Sequence, residues 1–216
     1  MKIYEALAAA IGVLEQSGVS NPRQDAESLL EAVLGKPRTF LVAHSRDSLE
    51  LPVWDAFHAK VMERTRGKPL QYILGTQEFL GMEFEVTPEV LIPRPETELL
   101  VETARQLFAS LASPRLADVG TGSGCIAVSL AVLLPSAHVS AVDLSPSALE
   151  VARRNASKHR VLSRVAFRQG DLLAPIESEE GRQVWTESFP TLPMFRKGNF
   201  PACSVRFETG SREWPC

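Results

Sequence analysis

The stretch Asp118-Val119-Gly120-Thr121-Gly122-Ser123-Gly124 limits what this chain can fold into more than any other. The apolar run Leu116 to Val119 leads into it, and a run of small and apolar residues from Cys125 to Leu134 leads out. A strand, a glycine-rich turn and a helix are expected. Glycines let the backbone take positive φ and come close to a ligand, and the helix N-terminus behind them offers unpaired N–H groups. Val139 to Val142 predicts a second strand ending in Asp143. That places a carboxylate about 20 residues beyond the loop, where it can accept both hydroxyls of a ribose. The unit is expected to bind a ribose-bearing cofactor.

The glycines fall as G-x-G-x-G, followed by Cys125 and Ile126, whereas a dinucleotide site calls for G-x-G-x-x-G. A plain strand-to-helix turn is the alternative reading. Asp118, ahead of the first glycine, would repel a pyrophosphate and attract a sulfonium or amino group. Charge therefore favours S-adenosylmethionine.

The rest of the chain sets this unit in context. From Met1 to about Arg66 the apolar residues recur at helical spacing: Ile3, Leu7, Ile11 and Leu14, then Ala26, Leu29, Leu30 and Val33 after Asn21-Pro22. A short helical turn is predicted over 38–44, and Leu51-Pro52 opens a helix with Trp54, Phe57 and Val61 that ends at Gly67. These stripes predict a small helical bundle. Arg64, Arg66 and Lys68 cluster at its end, where the helix dipole favours cations. From Leu70 the period changes. Gln71 to Leu74, with Met82, Phe84 and Val86 alternating with Glu83 and Glu85, predicts a β-hairpin with one wet face. Arg94 to Glu98 opens a helix with Leu100, Ala104, Leu107, Phe108 and Leu111 inward, and a helix start accounts for Glu96 and Glu98. Ser145-Pro146 starts another helix, and a strand near Val165 to Phe167 ends in Gly170-Asp171-Leu172. Alternation of this kind implies a parallel sheet with right-handed crossovers. Gly120 to Gly124, Asp143 and Asp171 would then meet at the carboxyl ends of its strands.

Composition excludes little but sharpens the partners. A net charge of −3 and no basic stripe give no reason to expect nucleic-acid binding. The most apolar stretch, Cys125 to Val142, is broken by Ser129, Pro135, Ser136 and His138, and Glu5 and Glu15 flank a short amphipathic N-terminus. A cytosolic protein is expected. Cys125, Cys203 and Cys216 lack metal-ligand spacing, and Cys125 reads as a small buried residue.

On these residues the chain resembles the HemK-type protein-glutamine methyltransferases of peptide chain release factors. The resemblance is carried by Gly67-Lys68-Pro69-Leu70-Gln71-Tyr72-Ile73-Leu74-Gly75, by Glu78-Phe79-Leu80-Gly81, by Val90 to Glu98 (V-L-I-P-R-P-E-T-E) and by the Asp118 to Gly124 loop. It implies a helical release-factor-binding domain at residues 1–69 and a hairpin linker at 70–88. A Rossmann-like S-adenosylmethionine domain of α/β class would follow at 89–176, C-terminally incomplete, and then an atypical tail at 177–216. By the same resemblance Gly120, Thr121, Gly122, Ser123 and Gly124 line the methionine end of S-adenosylmethionine, Asp143 binds the ribose, and Asp171 with Leu172 borders the adenine. The reaction implied moves the sulfonium methyl to the side-chain amide nitrogen of the glutamine in the factor's Gly-Gly-Gln motif. An adenine-N6 nucleic-acid methyltransferase and a non-catalytic binding relative are the alternatives.

The family's catalytic Asn-Pro-Pro-Tyr motif is absent from this sequence. From about Ile176 the pattern fails, with Trp185, Trp214, Phe189, Phe195, Phe200 and Phe207 lying among prolines and charges without helix or strand period. A shifted reading frame accounts for this. Joining the last base of each codon from Glu187 to Phe195 to the first two of the next permits I-V-S-N-P-P-Y-V. The same shift from Arg206 to Cys216 permits V-R-D-W-E-P, one free residue, then V-A-L. The chain as written is therefore expected to lack the catalytic Asn and Tyr and the last strands of the sheet.

Overall fold

The computed structural model describes residues 1–176 and the strand at 204–208; the proposed frame shift between Ile176 and Trp185 lies outside the described residues, as does most of the tail. The chain divides into two compact units, Met1–Gly75 and Thr76–Cys216.

The first unit is helical. It consists of α1 (Ile3–Gln16), α2 (Pro22–Leu34), α3 (Arg38–Ala43), α4 (Leu51–Thr65) and α5 (Leu70–Leu74). Ile3, Ala6, Ala10 and Leu14 of α1 are buried with Ala26, Leu29 and Leu30 of α2 and Phe57 and Val61 of α4. The predicted stripe of α1 is thus turned slightly: its centre is the small Ala6 and Ala10, and Leu7 and Ile11 flank it. Small residues at the contact let the helices approach closely.

Two expectations are corrected in this unit. The strand predicted over Gln71 to Leu74 is the helix α5. Pro69 precedes its first turn, Gly75 ends it in the left-handed region at φ 81° with its N–H donated to the Gln71 carbonyl at 2.7 Å, and Ile73 is buried in the bundle core. The Arg64 cluster is also more than a helix end. Arg64 Nε donates to Asp25 Oδ2 at 2.7 Å and Nη1 to the Lys68 carbonyl at 3.2 Å, tying α4 to α2 through a largely buried pair. Lys68 pairs with Glu63.

The second unit opens with the hairpin β1 (Thr76–Phe79) and β2 (Met82–Glu85), paired antiparallel with Thr76 opposite Glu85 and Phe79 opposite Met82. Leu80 and Gly81 form its two-residue turn at φ 52° and 70°, the positive pair that matches strand twist. After it come α6 (Glu96–Phe108), β3 (Arg115–Val119), α7 (Cys125–Leu133), β4 (His138–Asp143), α8 (Pro146–Lys158), a 3₁₀ turn at Leu162–Arg164, and β5 (Val165–Gln169). The carboxylate of Glu98 accepts the Leu80 N–H at 2.9 Å, so this acid holds the hairpin turn besides suiting a helix start. In α6 the buried stripe is Val101, Ala104 and Phe108, and Leu107 is exposed rather than inward.

As expected, β3, β4 and β5 are parallel, with Leu116 opposite Val139 and Val139 opposite Val165. Leu116, Val139, Ala141 and Val165 share a core with α7, α8 and the hairpin's Phe79 and Phe84, while Ala117 and Val142 on the other face meet Ile176 and Leu173. Residues 125–131 of α7 are all buried, which its small apolar composition permits. The sheet order is β5-β4-β3-β6, where β6 is Ser204–Glu208. One expectation is corrected here as well: the tail, read as having no strand period, contains a strand, and it runs antiparallel to β3, with Val119 opposite Ser204. Val-Arg-Phe in the sequence suits a strand, and pairing with β3 covers what would otherwise be a sheet edge. An antiparallel neighbour on an otherwise parallel sheet is a common solution.

Candidate functional site

The glycine loop lies between β3 and α7 with every glycine in the conformation that only glycine adopts freely: φ is 75° at Gly120, 54° at Gly122 and 78° at Gly124. Backbone bonds seat it on the neighbouring strand, since Gly120 N–H and Thr121 N–H both donate to the Val142 carbonyl at 2.8 and 3.0 Å. Gly124 N–H closes the turn on the Thr121 carbonyl at 2.8 Å.

Three side chains fix the loop from three elements. Asp118 is fully buried, and its Oδ2 accepts from Thr121 Oγ1 at 2.7 Å and from Ala127 N–H at 3.1 Å. Charge alone would set this carboxylate against the cofactor; it belongs instead to the loop's own framework, capping the first turn of α7. Its charge and, above all, burial push the Cys125 thiol up to about 12, so Cys125 is an inert core residue.

Asp143 ends β4, half-buried, and both of its oxygens are held: Oδ2 accepts the Gly122 N–H at 2.9 Å and Oδ1 the Ser145 N–H at 2.9 Å. Each oxygen keeps a further lone pair, so the carboxylate is oriented and still able to accept from a ligand. Ser145 in turn caps α8 by accepting from Ala148 N–H at 3.2 Å. The third end joins them through Gly170 N–H, which donates to the Asp143 carbonyl at 3.0 Å. Asp171 and Leu172 follow directly, both exposed. The predicted residues Gly120, Thr121, Gly122, Ser123, Gly124, Asp143, Asp171 and Leu172 are thereby gathered at the carboxyl ends of β3, β4 and β5.

Sequence reasoning passed over two features at this edge. The first is Leu144, 64% exposed directly after Asp143, which stands beside the expected Leu172, 63% exposed directly after Asp171. Leu172 also holds φ 49°, a strained choice for a leucine. Two large apolar side chains kept in solvent beside an oriented carboxylate suit a flat, apolar ligand face next to a diol. The missed signal was an apolar residue directly after Asp143, as Leu172 directly follows Asp171.

The second is Asn155 of α8, fully buried. Its Nδ2 donates to the Ser123 carbonyl at 2.8 Å and to the Glu85 carbonyl at 3.0 Å, and its Oδ1 accepts the Glu85 N–H at 2.7 Å. Ion pairs continue this seam, because Arg154 grips the Glu85 carboxylate with Nε and Nη2, and Lys158 reaches Glu83. The Arg154 guanidinium holds the Glu85 carboxyl below the usual carboxylate range. No local pattern in the sequence points from residue 155 to residue 85.

With this geometry in place, comparison with known proteins divides the chain in the same way. Residues 5–75 match the PrmC N-terminal domain, and residues 113–189 match a methyltransferase domain. The release factor glutamine methyltransferase of Chlorobaculum tepidum is 45% identical over 177 residues, covering 80% of this chain and 60% of that protein. Its counterpart from Moorella thermoacetica is 44% identical over 176 residues, covering 82% and 62%, and that from Koribacter versatilis 42% over 183 residues, covering 85% and 64%. The chain spans about three-fifths of the length of these relatives.

Proposed function

We propose, for a chain that belongs through its PrmC N-terminal and methyltransferase domains to the release factor glutamine methyltransferase family, that its lineage function is glutamine methylation of a peptide chain release factor and that it holds S-adenosylmethionine at the glycine loop. The observation that carries this reading is Asp143, each of whose oxygens is oriented by a backbone N–H and left with accepting capacity beside a loop of positive-φ glycines. In this reading Asp143 takes the two ribose hydroxyls. Leu144 and Leu172 flank the adenine and exclude water from its faces, Asp171 borders it, and Gly120 to Gly124 let the backbone lie against the methionine end.

When bound, S-adenosylmethionine supplies an electrophilic methyl group on sulfur. The acceptor, a side-chain amide nitrogen, is a weak nucleophile because its lone pair is delocalised into the carbonyl. Catalysis then rests on positioning, with acceptors on both amide hydrogens turning the nitrogen toward the methyl. In the family an Asn-Pro-Pro-Tyr motif provides those acceptors, and this sequence has none. The proposal for the chain as written is therefore cofactor and release-factor binding without turnover, in the cytoplasm, with the helical unit as the release-factor-recognising part. Among the described residues no helix is long and apolar enough to cross a membrane.

The adenine-N6 nucleic-acid reading gains nothing from the geometry. The cations of α8 face carboxylates, with Arg154 on Glu85, Lys158 on Glu83 and Arg153 near Glu150, rather than forming an open stripe. Calorimetry with S-adenosylhomocysteine, paired with a methyl-transfer assay on purified release factor, tests the proposal. Binding that Asp143→Ala abolishes, with no methyl transfer, is the expected result. Normal turnover would refute the loss of chemistry, and absence of binding would refute the cofactor site.

A further inference from the structure

We infer that Asn155 is the positioning residue of the glycine loop and that it couples the loop to the β1–β2 hairpin; the inference rests on the cofactor reading above. The Ser123 carbonyl and the Gly124 N–H belong to the same planar peptide, and both ends are held: the carbonyl by Asn155 Nδ2 at 2.8 Å, the N–H by the Thr121 carbonyl at 2.8 Å. Glycine at 124 would otherwise let that plane rotate with little steric cost. The Gly122 N–H that orients Asp143 stands two residues before Gly124, so fixing this plane also fixes the donor that aims the ribose-binding carboxylate.

The other half of the same amide is engaged with the hairpin. Asn155 exchanges two hydrogen bonds with the backbone of Glu85, donating at 3.0 Å and accepting at 2.7 Å, as a neighbouring strand residue would. The rest of the contact between α8 and β2 stays on the hairpin side. His159 Nε2 meets the Glu83 carbonyl at 2.9 Å, Lys158 meets the Glu83 carboxylate, and Arg154 meets the Glu85 carboxylate. Asn155 thus commits its two donors to two different elements. A displacement of β2 draws on the same NH₂ group that holds Ser123, and a ligand that rigidifies the loop stabilises the hairpin in return.

The test is a thermodynamic cycle on the full chain, reading S-adenosylhomocysteine affinity for wild type, Asn155→Asp, Glu85→Ala and the double variant. Asn155→Asp keeps the size of the side chain and the acceptor for the Glu85 N–H but removes both donors. It is expected to weaken binding about tenfold, the loss of roughly one good hydrogen bond's worth of preorganisation. Glu85→Ala, which frees the hairpin from Arg154, is expected to weaken it severalfold when Asn155 is present and not at all when it is replaced. A merely structural asparagine predicts effects that multiply independently, within about twofold, and that result overturns the coupling. Hydrogen exchange without ligand keeps the inference separable from the cofactor reading. Gly122 and Gly124 amides, neither of which bonds to Asn155, should exchange faster in Asn155→Asp and in the milder Asn155→Ser. Unchanged exchange at both amides overturns the positioning role even if the wild-type chain binds no S-adenosylhomocysteine.

Discussion

Replacing Gly124 by alanine should destabilise the second unit far more than the same change two residues earlier. A Cβ on Gly124 would stand 2.9 Å from Ala152 Cβ and 3.2 Å from Ala152 Cα, whereas one on Gly122 would meet nothing nearer than the Gly120 carbonyl oxygen at 4.0 Å. Both positions have positive φ, which costs an L-residue about 1–2 kcal/mol. Only Gly124 adds an overpacking cost of about 1–3 kcal/mol, since the Ala152 backbone belongs to a buried helix and cannot yield freely. Gly124→Ala is therefore expected to cost about 2–5 kcal/mol and Gly122→Ala about 1–2 kcal/mol. Ala152→Gly alone should cost about 1–2 kcal/mol through helix propensity and a lost buried methyl. In the double variant Gly124→Ala/Ala152→Gly the 2.9 Å contact is gone while the 3.2 Å approach to the residue 152 Cα remains, so the total should fall short of the sum by part of the overpacking cost, about 1–2 kcal/mol. Because the chain has two units, the free energies are best taken from the slowest-exchanging amides of β4, which report opening of this unit alone. Equal losses at Gly122 and Gly124, or strict additivity with Ala152→Gly, would refute the close-packing argument.

Cys125, with its thiol pushed up to about 12, should resist iodoacetamide at pH 8 in the native protein and react fully in denaturant. Mass spectrometry of the peptide containing residue 125 separates it from Cys203 and Cys216, and native alkylation at the rate of a free thiol would show the site to be open. The Glu85–Arg154 pair should leave a small acid-side signature. A carboxyl held below its unfolded value contributes stability that is complete above the unfolded pKa and disappears as pH falls through the folded one, here below about pH 4. Both side chains are well exposed, so the contribution is at most about 1 kcal/mol. Arg154→Met should flatten the pH dependence of β2 amide protection between pH 6 and 3; an unchanged slope would assign that dependence to other groups.

What could be read from the sequence was what is encoded locally. A strand, three glycines and an acid at the next strand end are contiguous signals, so the loop, Asp143 and the parallel β3-β4-β5 arrangement were legible before any coordinates. Gln71-Tyr72-Ile73-Leu74 misled because aromatic and branched residues suit strands, and what decides the helix is the Pro69 and Gly75 boundary together with burial of Ile73 among helices far away in sequence. Asp118 misled for a related reason: assigning its charge to a ligand presupposed exposure, and only the packed loop reveals that Thr121 and Ala127 already use it.

Asn155 marks the limit of such reading most sharply. In sequence it is a polar residue in an alanine-rich helix, with nothing to separate it from its exposed neighbours Arg154 and Ser157. Its importance arises from two backbone segments, 70 residues and 32 residues away, that present a carbonyl each to one NH₂ group. Burial makes that arrangement demanding. An aliphatic residue there would leave two carbonyls and an N–H unpaired in the interior, at about 1–3 kcal/mol for each group. The same accounting explains why the loop is held by side chains from three different elements rather than by glycine geometry alone. Glycines permit the shape a ligand needs, but permission is conformational freedom, and Asp118, Asp143 and Asn155 are what convert it into a single oriented surface.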